Sequence, residues 1–415
     1  MAPGENFSAT GASLAGWLSG GAARPPSRGG GRGGGSGSSG RGGGGAMAGR
    51  GRRGTVSPRT PARRGGASAA APGGSGDGGP WAVLSVQLMT ALPLLTAACP
   101  ALLVAAFGWR GLGLVLAWYV QRVLRPGVYG AGGGGAFTRL LLAGWGWVVR
   151  LGALGYFPAV LVEEARLGPP PGRSSSPPPR GVLLGLHPHG LICSPLWLHV
   201  LPGGAFRARH GLEFRMATIR FNFWIPVWTD VLVALGFIVA SRSSIEDNLR
   251  AGNAVGLVVG GAEEAAAMAV DRFDLVLRKR KGFIKCALRA GAPVAPVVTL
   301  GENKIIRQVL LPPGHRLGAI TRALFPFCQR HLGFVPIVPY GRPFFGGLVP
   351  ASVVPFQSRL VTVMGKPLPM PEISEPTQEE LDHHHERYLA EVSRIYNTYK
   401  SRCGLVDSPR LRFVA

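Results

Sequence analysis

Two histidines flank a proline at the end of an apolar run, Leu184-Gly185-Leu186-His187-Pro188-His189-Gly190. Pro188 fixes its own φ and stiffens the turn, and Gly190 lets a ligand or another stretch of backbone approach closely. Imidazole is the side chain best suited to take and return a proton near neutrality. A base at His187 or His189 could therefore deprotonate a hydroxyl and make it attack an acyl carbon. The same pair could ligate a metal in a hydrolase, or be two satisfied structural histidines. No compact set of further His, Cys or Asp ligands stands out, which weighs against a metal site.

A second constellation is Gly260-Gly261-Ala262-Glu263-Glu264, after the apolar run Ala254 to Val259. Ligands of parallel sheets bind outside the carboxyl ends of the strands. A glutamate there could hold an imidazole in one tautomer and stabilise the imidazolium. Equally, both glutamates could be ordinary first-turn acids favoured by the helix dipole. A third group is Arg280-Lys281-Gly282-Phe283-Ile284-Lys285, followed by Pro293 to Leu300 and then Gly301-Glu302. Cations at a helix start make a natural phosphate site, and a ligand with several phosphates and a long apolar part would match. A solvated basic stripe is the plainer alternative. No G-x-S-x-G elbow occurs in the part expected to fold, and Cys193 has no evident activation, so direct transfer is expected rather than an acyl-enzyme.

These groups need elements to position them. Strands are predicted at Gly181 to Leu186, Ala234 to Ala240, Ala254 to Val259 and Pro293 to Leu300. Helices are predicted at Ser244 to Ala251, from Glu263 to Ala269, at Phe283 to Ala290, and from Pro376 to about Lys400, with Thr377 as cap and Glu380 at the capping-box position. Such alternation with short, continuous apolar strands predicts an α/β domain whose largely parallel sheet is flanked by helices.

Composition sets the surroundings. Residues 1–80 are dominated by Gly, Ala, Ser, Pro and Arg and cannot bury enough apolar surface to order themselves. An apolar hairpin at 81–125, built on Val83 to Phe107 and Leu112 to Val120, is predicted to span or re-enter a bilayer, with positive charge on both flanks. Residues 126–180 read as an interfacial segment and a Pro/Ser loop, 181–405 as the catalytic domain and 406–415 as a C-terminal tail. The formal net charge of +24 suits an anionic membrane surface or a polyphosphate ligand. An RNA or lipid-droplet tether acting through the Arg-Gly tail is the non-enzyme alternative. It lacks aromatic interleaving in the tail and an RNA-binding fold signature behind it, so nucleic acid is a poor candidate partner. The 5 cysteines form no C-x-x-C pair, which fits a reducing compartment.

Taken in order, these motifs resemble the type 2 diacylglycerol acyltransferase family, which includes monoacylglycerol and wax-alcohol acyltransferases. The residues that carry the resemblance are Tyr156-Phe157-Pro158, His187-Pro188-His189-Gly190, Gly260-Gly261-Ala262 with Glu264, and Arg280-x-Gly282-Phe283-Ile284-Lys285-x-Ala287. Gly291, Pro296, Gly301-Glu302-Asn303, Gly365-Lys366-Pro367 and Pro376-Thr377 complete it. The match runs from about Trp81 to Leu405 and leaves the Gly/Arg tail outside. It implies a membrane protein of the endoplasmic reticulum and lipid droplets that moves a fatty acyl group from acyl-CoA to a lipid hydroxyl, that of diacylglycerol first, with monoacylglycerol or a wax alcohol as the alternative acceptor. Acyl-CoA is then a substrate, and neither cofactor nor metal is needed. A homo-oligomer and membrane lipids stand among the expected partners. The resemblance assigns the base role to His189, with His187 beside it and Glu264 as partner. Pro188, Gly190, Gly260, Gly261, Arg280, Lys281, Gly282, Lys285 and Glu302 are then expected to line the substrates. Related glycerolipid acyltransferases carry His-x-x-x-x-Asp, whereas here Ile192 and Ser194 stand at the aspartate positions for His187 and His189. The orienting carboxylate must therefore come from elsewhere, which favours Glu264.

Overall fold

Strands buried on both faces make the middle of the fold. VLLGLH at Val182–His187 and VAPVVTL at Val294–Leu300 are buried at every position, as parallel strands covered by helices must be. The computed structural model describes residues 98–123, 140, 143–144, 156–168, 180–200, 205–225, 228–270, 272–309, 315–334, 337–342, 354–402 and 409–414. The expected tail at 1–80, the apolar run before residue 98, the glycine linker at 130–135 and the loop at 169–179 lie outside the described residues.

In chain order the elements open with α1 (Trp109–Val123), β1 (Ala159–Glu163), β2 (Val182–His187), α2 (Ala205–His210), β3 (Phe214–Thr218), α3 (Trp228–Ala234) and β4 (Phe237–Val239). They continue with α4 (Arg242–Arg250), β5 (Ala254–Val258), α5 (Gly261–Ala267), β6 (Phe273–Val276), α6 (Gly282–Ala290), β7 (Val294–Leu300) and α7 (Glu302–Ile305). The last are β8 (Arg307–Gln308), α8 (Arg316–Phe327), β9 (Pro339–Tyr340), β10 (Leu360–Met364), α9 (Gln378–Arg402) and β11 (Leu411–Val414).

The main sheet has 7 strands in the order β1-β10-β7-β2-β5-β3-β4. β7, β2, β5, β3 and β4 run parallel, while β10 lies antiparallel to β7 and carries β1 alongside it. The side chains of β2 alternate between two cores. Leu183 faces a core built with α4, α6 and α9, whereas Val182, Leu184 and Leu186 face one built with α2 and α3. The long helix α9 opens with the expected capping box: Thr377 Oγ1 accepts from the Glu380 amide, and the Glu380 carboxylate accepts from the Thr377 amide at 2.8 Å.

Several expectations are corrected. The aromatic stretch before the histidines does not keep its described part at an interface. Tyr156 and Phe157 are core residues, and Ala159–Glu163 becomes the edge strand β1. Backbone groups beside an open sheet edge gain more from pairing than from lying at a surface. The predicted C-terminal tail contains β11, paired in parallel with β6. Residues 234–240 divide between the end of α3 and the short strand β4. Residues 98–107 are helical and meet α1 at Gly108, φ +55°. Among the described residues no helix is long and apolar enough to cross a membrane.

Candidate active site

The order of the parallel strands brings the sequence motifs together. β2 lies between β5 and β7, with Leu186 opposite Val258 and His187 opposite Val298. The loop after β2 carries His189, while the helices that follow β5 and β7 carry Glu264 in the first turn of α5 and Glu302 at the start of α7. Pro188, Gly190 and Glu264 line one cleft with Met268, Arg272 and Asp274.

His189 is half-buried, and its Nδ1 lies 2.8 Å from the Gly190 carbonyl oxygen. A carbonyl can only accept, so Nδ1 carries the hydrogen and the neutral ring presents its lone pair at Nε2. Burial lowers the His189 pKa, opposed by this backbone bond. The ring is therefore an unprotonated base at neutral pH.

Glu264 does not grip that ring. One carboxylate oxygen accepts from the His189 amide at 2.5 Å and the other from the Val276 amide at 2.8 Å. The expected imidazole–carboxylate contact is thus replaced by a carboxylate–backbone contact. Its cause is local: the imidazole already has a partner on its own chain, while the His189 amide needs one. Gly260 makes room for this, because a Cβ there would fall 2.1 Å from Glu264 Oε2. Glu302, at the start of α7, does the same job for the backbone further along the loop. It accepts from the Ser194 amide at 3.0 Å and from the Ser194 hydroxyl. Both carboxyls are buried, and that burial pushes each pKa up to about 7 despite the amides that oppose it. The backbone from His189 to Ser194 is therefore held at both ends by buried carboxyl groups.

His187 lies deeper, at 1% exposure. Its Nε2 is 2.8 Å from the Tyr388 hydroxyl, which in turn donates to the Gly185 carbonyl at 3.4 Å. An Nε2–H donating to Tyr388 gives both hydrogens an acceptor and leaves Nδ1 as a bare lone pair. Burial pushes the His187 pKa down to about 3, so this ring stays neutral. Cys193 is equally inert as a nucleophile, since burial pushes its thiol pKa up.

A family model described as diacylglycerol acyltransferase matches residues 145–414. The chain belongs to this family. It is 34% identical over 272 residues to diacylglycerol O-acyltransferase 2 of Danio rerio, covering 64% of this chain and 71% of that protein. It is 31% identical over 341 residues to the enzyme of that name from Xenopus tropicalis, covering 80% and 88%. It is also 32% identical to human 2-acylglycerol O-acyltransferase 3, over 62% of this chain and 73% of that one. Among solved structures, the Thermotoga maritima 1-acyl-sn-glycerophosphate acyltransferase aligns at 14% identity and a TM-score of 0.35, over 76% of this chain and 98% of that one, a likeness too slight to bear on function.

Within this member of the family, the expected residues divide in two. His187, Pro188, His189, Gly190, Gly260, Gly261, Glu264 and Glu302 cluster at the carboxyl ends of β2, β5 and β7. The basic group lies on the α9 side and is largely engaged. Arg280 pairs with Glu263 at 2.7 Å and Lys281 with Asp382 at 2.5 Å, while Gly282 opens α6 and Lys285 lies half-buried on it. Ion pairs with carboxylates already occupy Arg280 and Lys281, two of the cations expected to meet phosphate. The sequence reading did not single out Tyr388, the partner of His187. The one signal for it was its place on the buried face of α9, in line with Leu381, His385, Val392 and Ile395. Ser194 was noted as the residue standing where an aspartate was sought, and it proves to be the anchor for Glu302.

Proposed function

We propose that this protein transfers a fatty acyl group from acyl-CoA to the free hydroxyl of diacylglycerol, giving triacylglycerol and free CoA. Family membership supports the reaction class. The observation that carries the mechanism is the Nδ1 bond of His189 to Gly190, which leaves Nε2 as the available base. Nε2 takes the hydroxyl proton as the oxygen attacks the thioester carbonyl carbon. The carbon–sulfur bond then breaks, and the departing thiolate takes the proton back from the imidazolium. Such a base typically contributes ~10²–10⁴-fold in rate. Glu264 and Glu302 act as positioning residues through the backbone of the loop. His187 supports the turn from below through Tyr388.

The acceptor is a bilayer lipid, and the fold offers an apolar surface to reach it. Leu102, Phe107, Trp109, Leu114, Leu116 and Val120, in residues 98–107 and α1, are all exposed. Apolar surface of this extent suits contact with a membrane. In this reading it rests on the endoplasmic reticulum or a lipid droplet with the catalytic domain on the cytosolic side. The relative named 2-acylglycerol O-acyltransferase 3 makes monoacylglycerol the second acceptor to test. The test is a microsome assay with labelled acyl-CoA and a panel of diacylglycerol, monoacylglycerol and long-chain alcohol acceptors, on the intact chain and on His189→Ala. Label entering triacylglycerol with the intact chain alone is the expected result. Membranes carrying the intact chain that esterify none of these acceptors would refute the reading.

A further inference from the structure

A second concavity lies between α9 and β11. It is a groove of about 680 Å³, within the range of small-molecule sites. Arg278, Lys400, Arg410 and Arg412 line it, with Tyr396 and Asn397 between them, and none of its lining residues is acidic. Arg412 donates two hydrogen bonds to the Asp274 carboxylate, from Nε and Nη2 at 2.7 Å each. Arg278 spends its Nε on the Phe413 carbonyl at 3.3 Å. Among the described residues no carboxylate pairs with Arg278, Lys400 or Arg410. Lys400 lies over the Tyr396 ring, its Nζ 5.9 Å from the centroid. The carboxyl end of α9 opposes an anion here with only about half a unit charge, and three uncompensated cations exceed it.

Position gives the groove its meaning. Asp274 lines the cleft beside His189, and its partner Arg412 lines the groove, so the Asp274–Arg412 ion pair links the two concavities. Two of the basic residues expected to hold phosphate, Arg280 and Lys281, are paired with Glu263 and Asp382. We propose that the groove between α9 and β11 binds the phosphate esters of the acyl donor's nucleotide, with Arg278, Lys400 and Arg410 as the phosphate ligands and Tyr396 as an aromatic wall. This assignment rests on the acyl-CoA reading above and adds where the donor's charged end sits. A donor held there would reach its thioester past Asp274 toward His189.

The test compares oleoyl-CoA with oleoyl-pantetheine, which lacks the nucleotide, using the full chain in membranes. Lys400→Gln combined with Arg410→Gln removes two charge-assisted contacts. It should lower the CoA-to-pantetheine ratio of kcat/KM by about tenfold or more, through KM for the CoA donor. The single change Arg207→Gln on α2, which removes one charge from outside the lining of either concavity, should leave the ratio where it was. An unchanged ratio in the double variant, or an equal loss with both donors, overturns the proposal. Binding of adenosine 3′,5′-bisphosphate to the detergent-solubilised chain is the second readout. It should weaken about tenfold in the double variant even if no acyl transfer is seen, so failure of the groove and failure of the reaction are separable. If the double variant instead loses binding to phosphatidylserine vesicles but keeps the nucleotide, the phosphate belongs to a lipid headgroup and the donor assignment falls.

Discussion

Gly190→Ala should inactivate the enzyme by collision more than by backbone strain. Gly190 has φ +56°, a conformation that costs an alanine about 1–2 kcal/mol. A Cβ there would also stand 2.5 Å from Glu302 Oε1 and 2.6 Å from Glu302 Cγ. Ordinary carbon contacts need about 3.5 Å, so one side must move by about 1 Å. Glu302 is 1% exposed and holds the Ser194 amide and hydroxyl, so it cannot swing into solvent. If the loop moves instead, the Gly190 carbonyl shifts off His189 Nδ1. Overpacking of this kind costs about 1–3 kcal/mol, and misplacing a catalytic group by about 1 Å costs about 10²-fold in rate. Gly333→Ala is the matched control. Its φ is +75°, but the nearest atom to a new Cβ is Ile219 Cγ2 at an ordinary 3.4 Å. Both variants should lose similar stability to backbone strain, Gly190→Ala should lose about 1–3 kcal/mol more to overpacking, and only Gly190→Ala should lose most of its labelled triacylglycerol formation. Equal activity in the two variants would show that the packing of Glu302 on the loop does not position His189.

His189→Ala should cost ~10²–10⁴-fold in kcat with an unchanged melting temperature, and a variant that melts early would instead mark His189 as structural. Burial holds the His189 pKa below its usual 6.5, so the acid limb of kcat/KM should lie below pH 6.5; a limb centred above it would refute the assignment. Glu302 has a pKa raised from 4.5 to about 7, so across that window the native state keeps a proton the unfolded chain has released. That makes the fold less stable as pH rises, by about 3 kcal/mol at the limit. Glu302→Gln removes this slope, because the Ser194 hydroxyl can turn and accept from an amide. The melting temperature of the variant relative to the native chain should rise with pH, and a constant difference would count against a buried titrating Glu302. Glu264→Gln has no such escape, since both oxygens accept from fixed amides, and it should cost about 1–3 kcal/mol in a denaturation curve.

The sheet was readable where strands are buried on both faces and bounded by glycine, as in β2, β5 and β7. It was not readable in β1, β6, β10 and β11, whose pairing depends on partners distant in sequence. FDLV at Phe273–Val276 carries an aspartate, and its strand character becomes plain only beside LRFV at Leu411–Val414, where Arg412 neutralises Asp274. The site residues were legible by type, because His189, Glu264 and Glu302 each follow an apolar run. Their bonding was not. Whether a carboxylate meets an imidazole or a backbone amide depends on where the loop carries each amide, and spacing along the chain does not record that. The basic run at residues 278–281 suggested a phosphate site because the carboxylates that engage Arg280 and Lys281 come from α5 and α9.

The grip on backbone makes one last prediction counter-intuitive. Ser194→Asp would restore the His-x-x-x-x-Asp spacing of related acyltransferases and so ought to improve the base. Here it should do the opposite. The Ser194 side chain meets the Glu302 carboxyl in a buried site, and two carboxylates cannot both ionise there. His189 Nδ1 is already committed to the Gly190 carbonyl, so the new acid finds no ring hydrogen to accept. The single change should lower both stability and triacylglycerol formation. Adding Glu302→Gln removes the repulsion and supplies an amide donor, so the double variant should recover much of both. A double-mutant cycle reads the coupling directly, with an expected magnitude of about 1–3 kcal/mol. If Ser194→Asp alone matches the native chain in melting temperature and rate, Glu302 does not hold the loop as described. The carboxyl groups would then have to reach the imidazole after all.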